Sequence, residues 1–117
     1  MANEDECLFC SLIACSKSGK TEFLYKDRFV AAFRDINPKA PHHILIVPLK
    51  HISTVNDITD EDALLVGSMV NAARKVAVGL NLKSYRLVLN CGADAGQAVF
   101  HIHLHLLGGR SFGWPPG

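Results

Sequence analysis

Hydrophobic and polar residues alternate most regularly near the end of the chain. Between residues 99 and 107, His101, His103 and His105 occupy every second position and aliphatic residues lie between them. Successive side chains on a strand point to opposite faces of the sheet. The pattern therefore predicts a strand over residues 99–107, with its histidines on one face and its aliphatic residues towards a core.

Periodicity elsewhere predicts an α+β fold with four more strands and one long helix. We expect the helix to begin at Thr59, capped through Asp62, and to end at Gly79. Apolar residues recur along it at helical spacing, which is typical of a core-facing stripe. The other predicted strands cover residues 21–25, 29–34, 43–47 and 85–90.

Composition indicates one domain, spanning residues 1–117, with an ample core. Hydrophobic residues make up 49% of the chain and charged residues 20%. The net charge of +1 shows no basic footprint for nucleic acid. No apolar run approaches the length that a membrane span requires, and the acidic start is unlike a secretory signal. We therefore expect a cytoplasmic protein with reduced cysteines.

Three histidines in register have two functional interpretations. One imidazole could act as a nucleophile supported by the others, or alternate histidines could share a metal ion. The plain structural alternative is a solvated sheet face.

Two other features of the sequence fit the binding of a nucleotide. The loop over residues 91–97 holds Gly92 and Gly96, which let backbone amides approach an anion, although such a loop can also be a plain connection. Asp35 could accept hydrogen bonds from two ribose hydroxyls, or could form an Asx turn that opens the proline loop.

Cys7 and Cys10 form a CxxC motif near the start of the chain. With distant single histidines, this spacing leaves two alternatives open, a structural zinc site or two reduced, partly buried cysteines.

These residues amount to a family resemblance. The alternating histidines resemble the signature of the histidine triad (HIT) family. Other segments resemble its HINT branch in order and spacing, and together they cover nearly the whole chain. They are residues 33–38, residues 41–43, residues 47–53, Asn90, the pair Gly96 and Gln97, and the ending from Trp114 to Gly117.

The resemblance implies a HIT-like fold, an antiparallel sheet of about five strands with one long and one short helix. It also implies a homodimer in which the sheet continues across the interface. The segment from Trp114 to Gly117 would then lie near the partner's site.

The activity that the resemblance implies is that of a purine nucleoside phosphoramidase. Such an enzyme hydrolyses the phosphorus–nitrogen bond of an adenosine or guanosine phosphoramidate to the nucleoside monophosphate and an amine. By position, His103 is the nucleophile and forms a nucleotidyl-histidine. His105 would contact the phosphoryl oxygens or the leaving group, and His43 and His101 would complete the proton relay.

The resemblance also implies a nucleotide site. Asp35 would bind the ribose, and His103 and His105 would face the phosphate. Two departures from the branch bear on this site: Ala98 replaces the usual serine, and Arg34 stands where histidine is common. The implied base pocket is Leu8, Phe9, Phe33, Arg34 and Ile36, and the implied phosphate site is Asn90, Gly96, Gln97 and Ala98.

No cofactor is implied for the chemistry itself. In members of the family that have the CxxC motif, it forms a structural zinc site with two histidines, which by position are His51 and His101. Three other functions are weighed against the phosphoramidase. They are a nucleotide-binding interaction module with incidental hydrolysis, a dinucleoside polyphosphate hydrolase, and a catalytic zinc held by the three alternating histidines.

Overall fold

The computed structural model describes residues 7–15 and 22–117, without the side chains of residues 14 and 15. All strand pairs are antiparallel, in the order β1-β2-β3-β5-β4. The elements are α1 (Leu8–Cys15), β1 (Tyr25–Lys26), β2 (Val30–Arg34), β3 (His42–Pro48), α2 (Ala63–Gly79), β4 (Tyr85–Val88) and β5 (Leu104–Gly108). The predicted α+β class, with a five-stranded sheet, one long helix and one short helix, is confirmed.

Each face of the sheet is covered by one helix. Residues of alternating parity face opposite sides, so Ile44 and Ile46 of β3 face α2, whereas Leu45 and Val47 face α1. The core against α2 holds the following buried residues: Val30, Ala32, Ile44, Ile46, Ile52, Met69, Ala72, Ala73, Val76, Ala77, Ile102, Leu104 and Leu106. The core against α1 is smaller: Cys7, Phe9, Ala31, Phe33, Leu45 and Val47.

The long helix ends at Gly79 as predicted but begins later than Thr59. The amide and hydroxyl of Thr59 both donate to the Asp62 carboxylate, at 3.0 and 3.1 Å. This cap precedes a single 3-10 turn, Asp60–Asp62, and α2 begins only at Ala63. Within the described ranges, no helix is long and apolar enough to cross a membrane.

The first hairpin is shorter than predicted. The Asp27 carboxylate accepts hydrogen bonds from the amides of Phe29 and Val30, at 2.7 and 2.9 Å. This tight turn ends β1 at Lys26. The strand covers Tyr25–Lys26 rather than the predicted residues 21–25, of which residue 21 lies outside the described residues. Strands β2, β3 and β4 lie where they were predicted, with ends shifted by one or two residues.

The histidine strand prediction was wrong in extent. Strand β5 begins at Leu104, so His101 and His103 precede it. The register of β3 and β5 pairs Ile46 with Leu104 and would next place Pro48 opposite Ile102, but proline has no N–H to donate. Instead the Ile102 amide donates to the Ile52 carbonyl at 2.7 Å, and the ladder ends.

The end of the chain is held against the sheet by an arginine pair. The Phe112 ring lies 5.2 Å from the Arg86 guanidinium and 4.2 Å from that of Arg110. Arg86 also donates to the Gly113 carbonyl at 2.8 Å. Trp114, which follows these contacts in the chain, is 84% exposed.

Candidate active site

The alternating histidines share one face although the strand is short. Ile102, Leu104 and Leu106 belong to the core against α2. On the opposite face the Phe9 ring of the α1 side contacts the imidazoles of His101 and His103, with centroids 6.0 and 5.0 Å apart. The predicted separation of histidine and aliphatic faces is confirmed.

His103 is held in one tautomer by the backbone. Its Nδ1 lies 2.8 Å from the His101 carbonyl oxygen, which can only accept a hydrogen bond. Nδ1 therefore carries the proton and the lone pair resides on Nε2. Burial lowers the pKa of His103, against the opposing effects of this hydrogen bond and of Asp35. The result is a neutral imidazole with a nucleophilic Nε2.

His43 and His105 form a second arrangement, here called the imidazole relay. The Lys39 amide donates to His43 Nδ1 at 3.0 Å, so a neutral His43 carries its proton on Nε2. That nitrogen lies 2.9 Å from His105 Nδ1, which accepts the proton's hydrogen bond. His105 then keeps its own proton on Nε2. Burial, together with the neighbouring imidazoles of His103 and His43, lowers the pKa of His105 to about 4.

Asp35 forms the Asx turn that its sequence context allowed and also faces the imidazole relay, while its expected contact with ribose hydroxyls stays a prediction. One carboxylate oxygen accepts the Asn37 amide at 2.8 Å, which is the Asx turn. The other lies 3.5 Å from His43 Nε2. The charge of Asp35 opposes the lowering of the His43 pKa by burial. The carboxylate therefore faces the relay while it shapes the loop after β2.

A pocket of about 630 Å³ adjoins α1 and the end of β2. Sequence reasoning missed part of its wall, although Leu12 follows Leu8 by one helical turn and could have been found from that spacing. Seven predicted nucleotide residues line it: Leu8, Phe9, Phe33, Arg34, Asp35, Ile36 and Ala98. The unpredicted lining residues are Leu12, Glu22, Leu24, Asn37, Leu45 and Val99.

The remaining predicted phosphate residues lie in the glycine loop, residues 90–97, outside this lining. Gly92 and Gly96 have positive φ values of 90° and 103°. A Cβ on Gly96 would lie 3.6 Å from the side-chain nitrogen Nδ2 of Asn90, so these two residues are close in space. The Gln97 side chain is buried, and its amide donates to the carbonyls of Ser53 and Val99. The Gln97 carboxamide therefore makes its hydrogen bonds within the protein, and a part for Gln97 in phosphate binding stays a prediction.

A group of four side chains, here called the thiol–imidazole cluster, lies close together: Cys7, Cys10, His51 and His101. His101 Nδ1 lies 3.3 Å from Cys7 Sγ and 3.5 Å from Cys10 Sγ. His51 Nδ1 lies 3.4 Å from Cys10 Sγ. His101 Nε2 donates to the Pro48 carbonyl at 2.8 Å, which leaves Nδ1 with its lone pair towards the sulfurs. Burial lowers the pKa of His101 to about 4.

These distances fit a tetrahedral zinc. With zinc–sulfur and zinc–nitrogen bonds of about 2.3 and 2.0 Å, neighbouring sulfur and nitrogen ligands lie about 3.5 Å apart. All four ligand atoms of the cluster lie within 4.8 Å of one another. His51 Nε2 lies 3.3 Å from Ser53 Oγ, so each imidazole has an outer hydrogen-bond partner, as metal-bound histidines usually do.

A second group with metal-ligand chemistry, Asp35, His43 and His105, fits less well. The atom that His43 turns towards the other two is Nε2, which carries the proton because Nδ1 accepts the Lys39 amide. A metal there would require the proton to leave a nitrogen whose partner nitrogen cannot take it. The relay is therefore suited to moving protons rather than to holding a metal.

Known proteins resemble this chain over most of its length. Residues 6–112 match the family model described as scavenger mRNA decapping enzyme C-term binding. A protein of Escherichia coli (strain K12) named purine nucleoside phosphoramidase is 43% identical over 111 residues, covering 93% of this chain and 92% of that protein.

Solved structures show the same fold. The crystal structure of a HIT family hydrolase from Legionella pneumophila Philadelphia 1 aligns with a TM-score of 0.84 at 46% identity, covering 95% of this chain and 99% of that chain. A Zn-bound histidine triad family protein from Mycobacterium smegmatis aligns with a TM-score of 0.77 at 28% identity, covering 98% of this chain and 82% of that one. The chain therefore belongs to the histidine triad family, in its HINT-like branch and among its hydrolases.

Proposed function

We propose that this chain is a purine nucleoside phosphoramidase. The observation that carries the proposal is the hydrogen bond that His103 Nδ1 donates to the His101 carbonyl, because it leaves the lone pair of a neutral ring on Nε2. The relay and the apolar pocket on the same side of the sheet supply a proton donor and a place for a base. The relative from Escherichia coli supports the same activity through its name.

The proposed reaction proceeds in two displacements. His103 Nε2 attacks the α-phosphorus, so an N–P bond to the enzyme forms as the P–N bond to the amine breaks. His105, with its proton on Nε2, donates that proton to the departing amine. Water then attacks the phosphorus and gives a proton to His105 Nε2, which regains the proton that it donated to the amine. The bond between the phosphorus and His103 Nε2 breaks, the nucleoside monophosphate is released, and His103 is neutral again.

The nucleotide is proposed to lie along the pocket towards the glycine loop. The base would contact Phe9 and Phe33, and the ribose hydroxyls would donate to Asp35, which lines the same pocket. The phosphate would lie between His103 and the backbone at Ala98. Because Ala98 has no hydroxyl, one hydrogen bond of the family's usual serine is missing there.

We further propose that the thiol–imidazole cluster holds a structural zinc. Two observations support this assignment: the sulfur–nitrogen distances, and the hydrogen bond from His101 Nε2 to the Pro48 carbonyl, which leaves Nδ1 available as a ligand. The Zn-bound relative from Mycobacterium smegmatis supports it as well. Zinc would cross-link the start of α1 to residues 51 and 101. It would have no part in the chemistry, which the imidazoles carry out without a cofactor.

A homodimer is proposed on the same basis of family likeness. Strand β4 lies at one end of the sheet order, where a second copy could add its own β4. The exposed Trp114 would then reach towards the partner's site. Sedimentation should give a mass near twice that of one chain, and a monomeric mass at micromolar concentration would contradict the proposal.

The activity is tested by incubating the purified protein with an adenosine 5′-phosphoramidate of a simple amine and separating the products by chromatography. Wild type should release AMP and the amine, with and without a chelator. The His103→Ala variant should retain AMP binding and lose at least about 10³-fold in kcat, because the nucleophile is absent. His42→Ala, an imidazole outside both groups, should keep kcat within about twofold.

The outcomes separate the alternatives. Cleavage that survives in His103→Ala would contradict nucleophilic catalysis by that residue. A folded wild type that binds AMP without cleaving the phosphoramidate would favour the interaction module. Cleavage of a dinucleoside polyphosphate in preference to the phosphoramidate would favour the other hydrolase.

A further inference from the structure

We propose that Gln97 is a positioning residue, which fixes the backbone at Ala98 where the phosphate is bound, and that it does so without touching the substrate. This inference rests on the proposed function for the identity of the ligand. It goes beyond that function by assigning to Gln97 a role in ordering the site of the ligand-free protein.

The carboxamide of Gln97 makes three hydrogen bonds inside the protein. Its Nε2 donates to the Ser53 carbonyl at 2.7 Å and to the Val99 carbonyl at 3.1 Å. Its Oε1 accepts the Gly92 amide at 2.8 Å. The residue is 3% exposed. Both N–H groups of the carboxamide are therefore committed, and the side chain has no donor left for a phosphate.

These hydrogen bonds lie on both sides of Ala98, a residue that lines the pocket. Ala98 lies in the chain between Gln97, whose own amide donates to the Gly92 carbonyl at 3.0 Å, and Val99, whose carbonyl accepts from the Gln97 side chain. Gln97 thus fixes the peptide unit of residues 96–97 and that of residues 99–100, which lie just before and just after the two peptide units of Ala98. A shift of either unit would move the backbone that faces the nucleotide.

The third partner connects the loop to the rest of the site. Ser53 Oγ lies 3.3 Å from His51 Nε2, and the adjacent Ile52 carbonyl accepts the Ile102 amide at 2.7 Å. Residues 51–53 therefore support both the thiol–imidazole cluster and the segment that leads to His103. Through its hydrogen bond to Ser53, Gln97 therefore fixes the position of the glycine loop relative to His103.

The test replaces Gln97 by Met, which has similar volume but none of the hydrogen bonds. Amide hydrogen exchange at Gly92 in the ligand-free protein should become about tenfold faster, because its acceptor is lost. The dissociation constant for AMP should rise about tenfold, whereas that for adenosine should stay within twofold. KM should rise more than kcat falls.

Asp94→Asn, on the exposed part of the same loop, is the control and should leave exchange and affinity within twofold of wild type. If Gln97→Met does not fold, Gln97→Asn keeps a carboxamide with a shorter reach, and the same changes are expected.

Weaker AMP binding with unchanged exchange at Gly92 would show that Gln97 touches the phosphate directly and would overturn the proposal. Unchanged exchange and unchanged affinity would overturn it as well. If wild type binds no AMP, the proposed function fails, whereas the Gly92 exchange rates still decide whether Gln97 orders the loop.

Discussion

The imidazole relay and the thiol–imidazole cluster use the same side chain in opposite ways. In the cluster, His101 Nε2 donates to the Pro48 carbonyl, so Nδ1 offers a lone pair to the sulfurs. In the relay, His43 Nδ1 accepts the Lys39 amide, so Nε2 offers a proton to His105. The backbone partner of one ring nitrogen decides the chemistry of the other, whether metal binding or proton transfer.

His101 connects the cluster to His103. Its imidazole belongs to the cluster, while its carbonyl orients the His103 ring. The proposed nucleophile, His103, is therefore oriented by the backbone of a residue whose side chain belongs to the proposed zinc site. If the two regions are independent, a substitution that removes one should leave the property of the other unchanged.

The largest effect is expected from Cys7→Ser, which removes a ligand from the cluster. Bound zinc should fall from one per chain to near zero, and the unfolding midpoint should fall by about 10 °C or more, because metal binding contributes folding free energy directly. Elemental analysis and thermal unfolding measure both quantities.

Two controls sharpen that result. Cys91→Ser removes a thiol outside the cluster, and His105→Ala removes an imidazole of the relay, so both should keep full zinc content. If wild-type protein contains no zinc, the zinc proposal fails and the cluster holds two reduced cysteines instead.

Lys39→Pro is the corresponding test of the relay, because proline has no amide N–H to donate to His43 Nδ1. Without that donor His43 can place its proton on Nδ1, and kcat should fall about tenfold. Lys39→Ala keeps the amide and should retain kcat within twofold. Equal losses in the two variants would assign the effect to the lysine side chain instead.

A smaller effect is expected from pH. His105 faces the imidazoles of His43 and His103 and the carboxylate of Asp35, and its pKa is lowered to about 4. The neutral relay should therefore persist in mildly acidic solution, and kcat should fall to about half near pH 4. A pH–rate profile with its acid limb near 6.5 would contradict a relay of neutral imidazoles.

The same pKa shift gives stability a defined sign. Between the unfolded value of 6.5 and the folded value of about 4, the unfolded chain binds more protons at His105 than the folded chain does. Stability should therefore fall as the pH is lowered through this interval. Urea unfolding at several pH values measures it.

A gain in activity rather than a loss is expected from Ala98→Ser, which adds the hydroxyl that the family's usual serine provides. One more hydrogen bond to the phosphate or leaving group should raise kcat/KM by up to about tenfold, less where water already occupies that place. A decrease would mean that the backbone at residue 98 is too close to the ligand for a larger side chain.

Alternation in the sequence predicted which face each histidine would take, because the pleat requires only local periodicity. It did not predict where β5 begins. That limit depends on Pro48, which is 54 residues away from Ile102 in the chain and meets it only through the register of the sheet. The long helix was predicted for the same reason as the faces, since its apolar spacing is local.

The candidate site divides in a similar way. The pocket residues Phe33 and Asp35 and the cluster ligands could be identified by family resemblance, and the structure brings them together. The Lys39 amide could not, because a backbone donor leaves no trace in residue type. The role of Gln97 was also hidden, since a glutamine beside a glycine gives no sign of which way its carboxamide turns.

The exposed end of the chain has a practical consequence. Trp114 is the only tryptophan of the protein, and it is 84% exposed. Its intrinsic fluorescence therefore arises from a single indole in contact with water and is not masked by any other. An emission maximum at short wavelength in solution would mean that another molecule covers this indole, so the protein carries its own optical reporter of assembly.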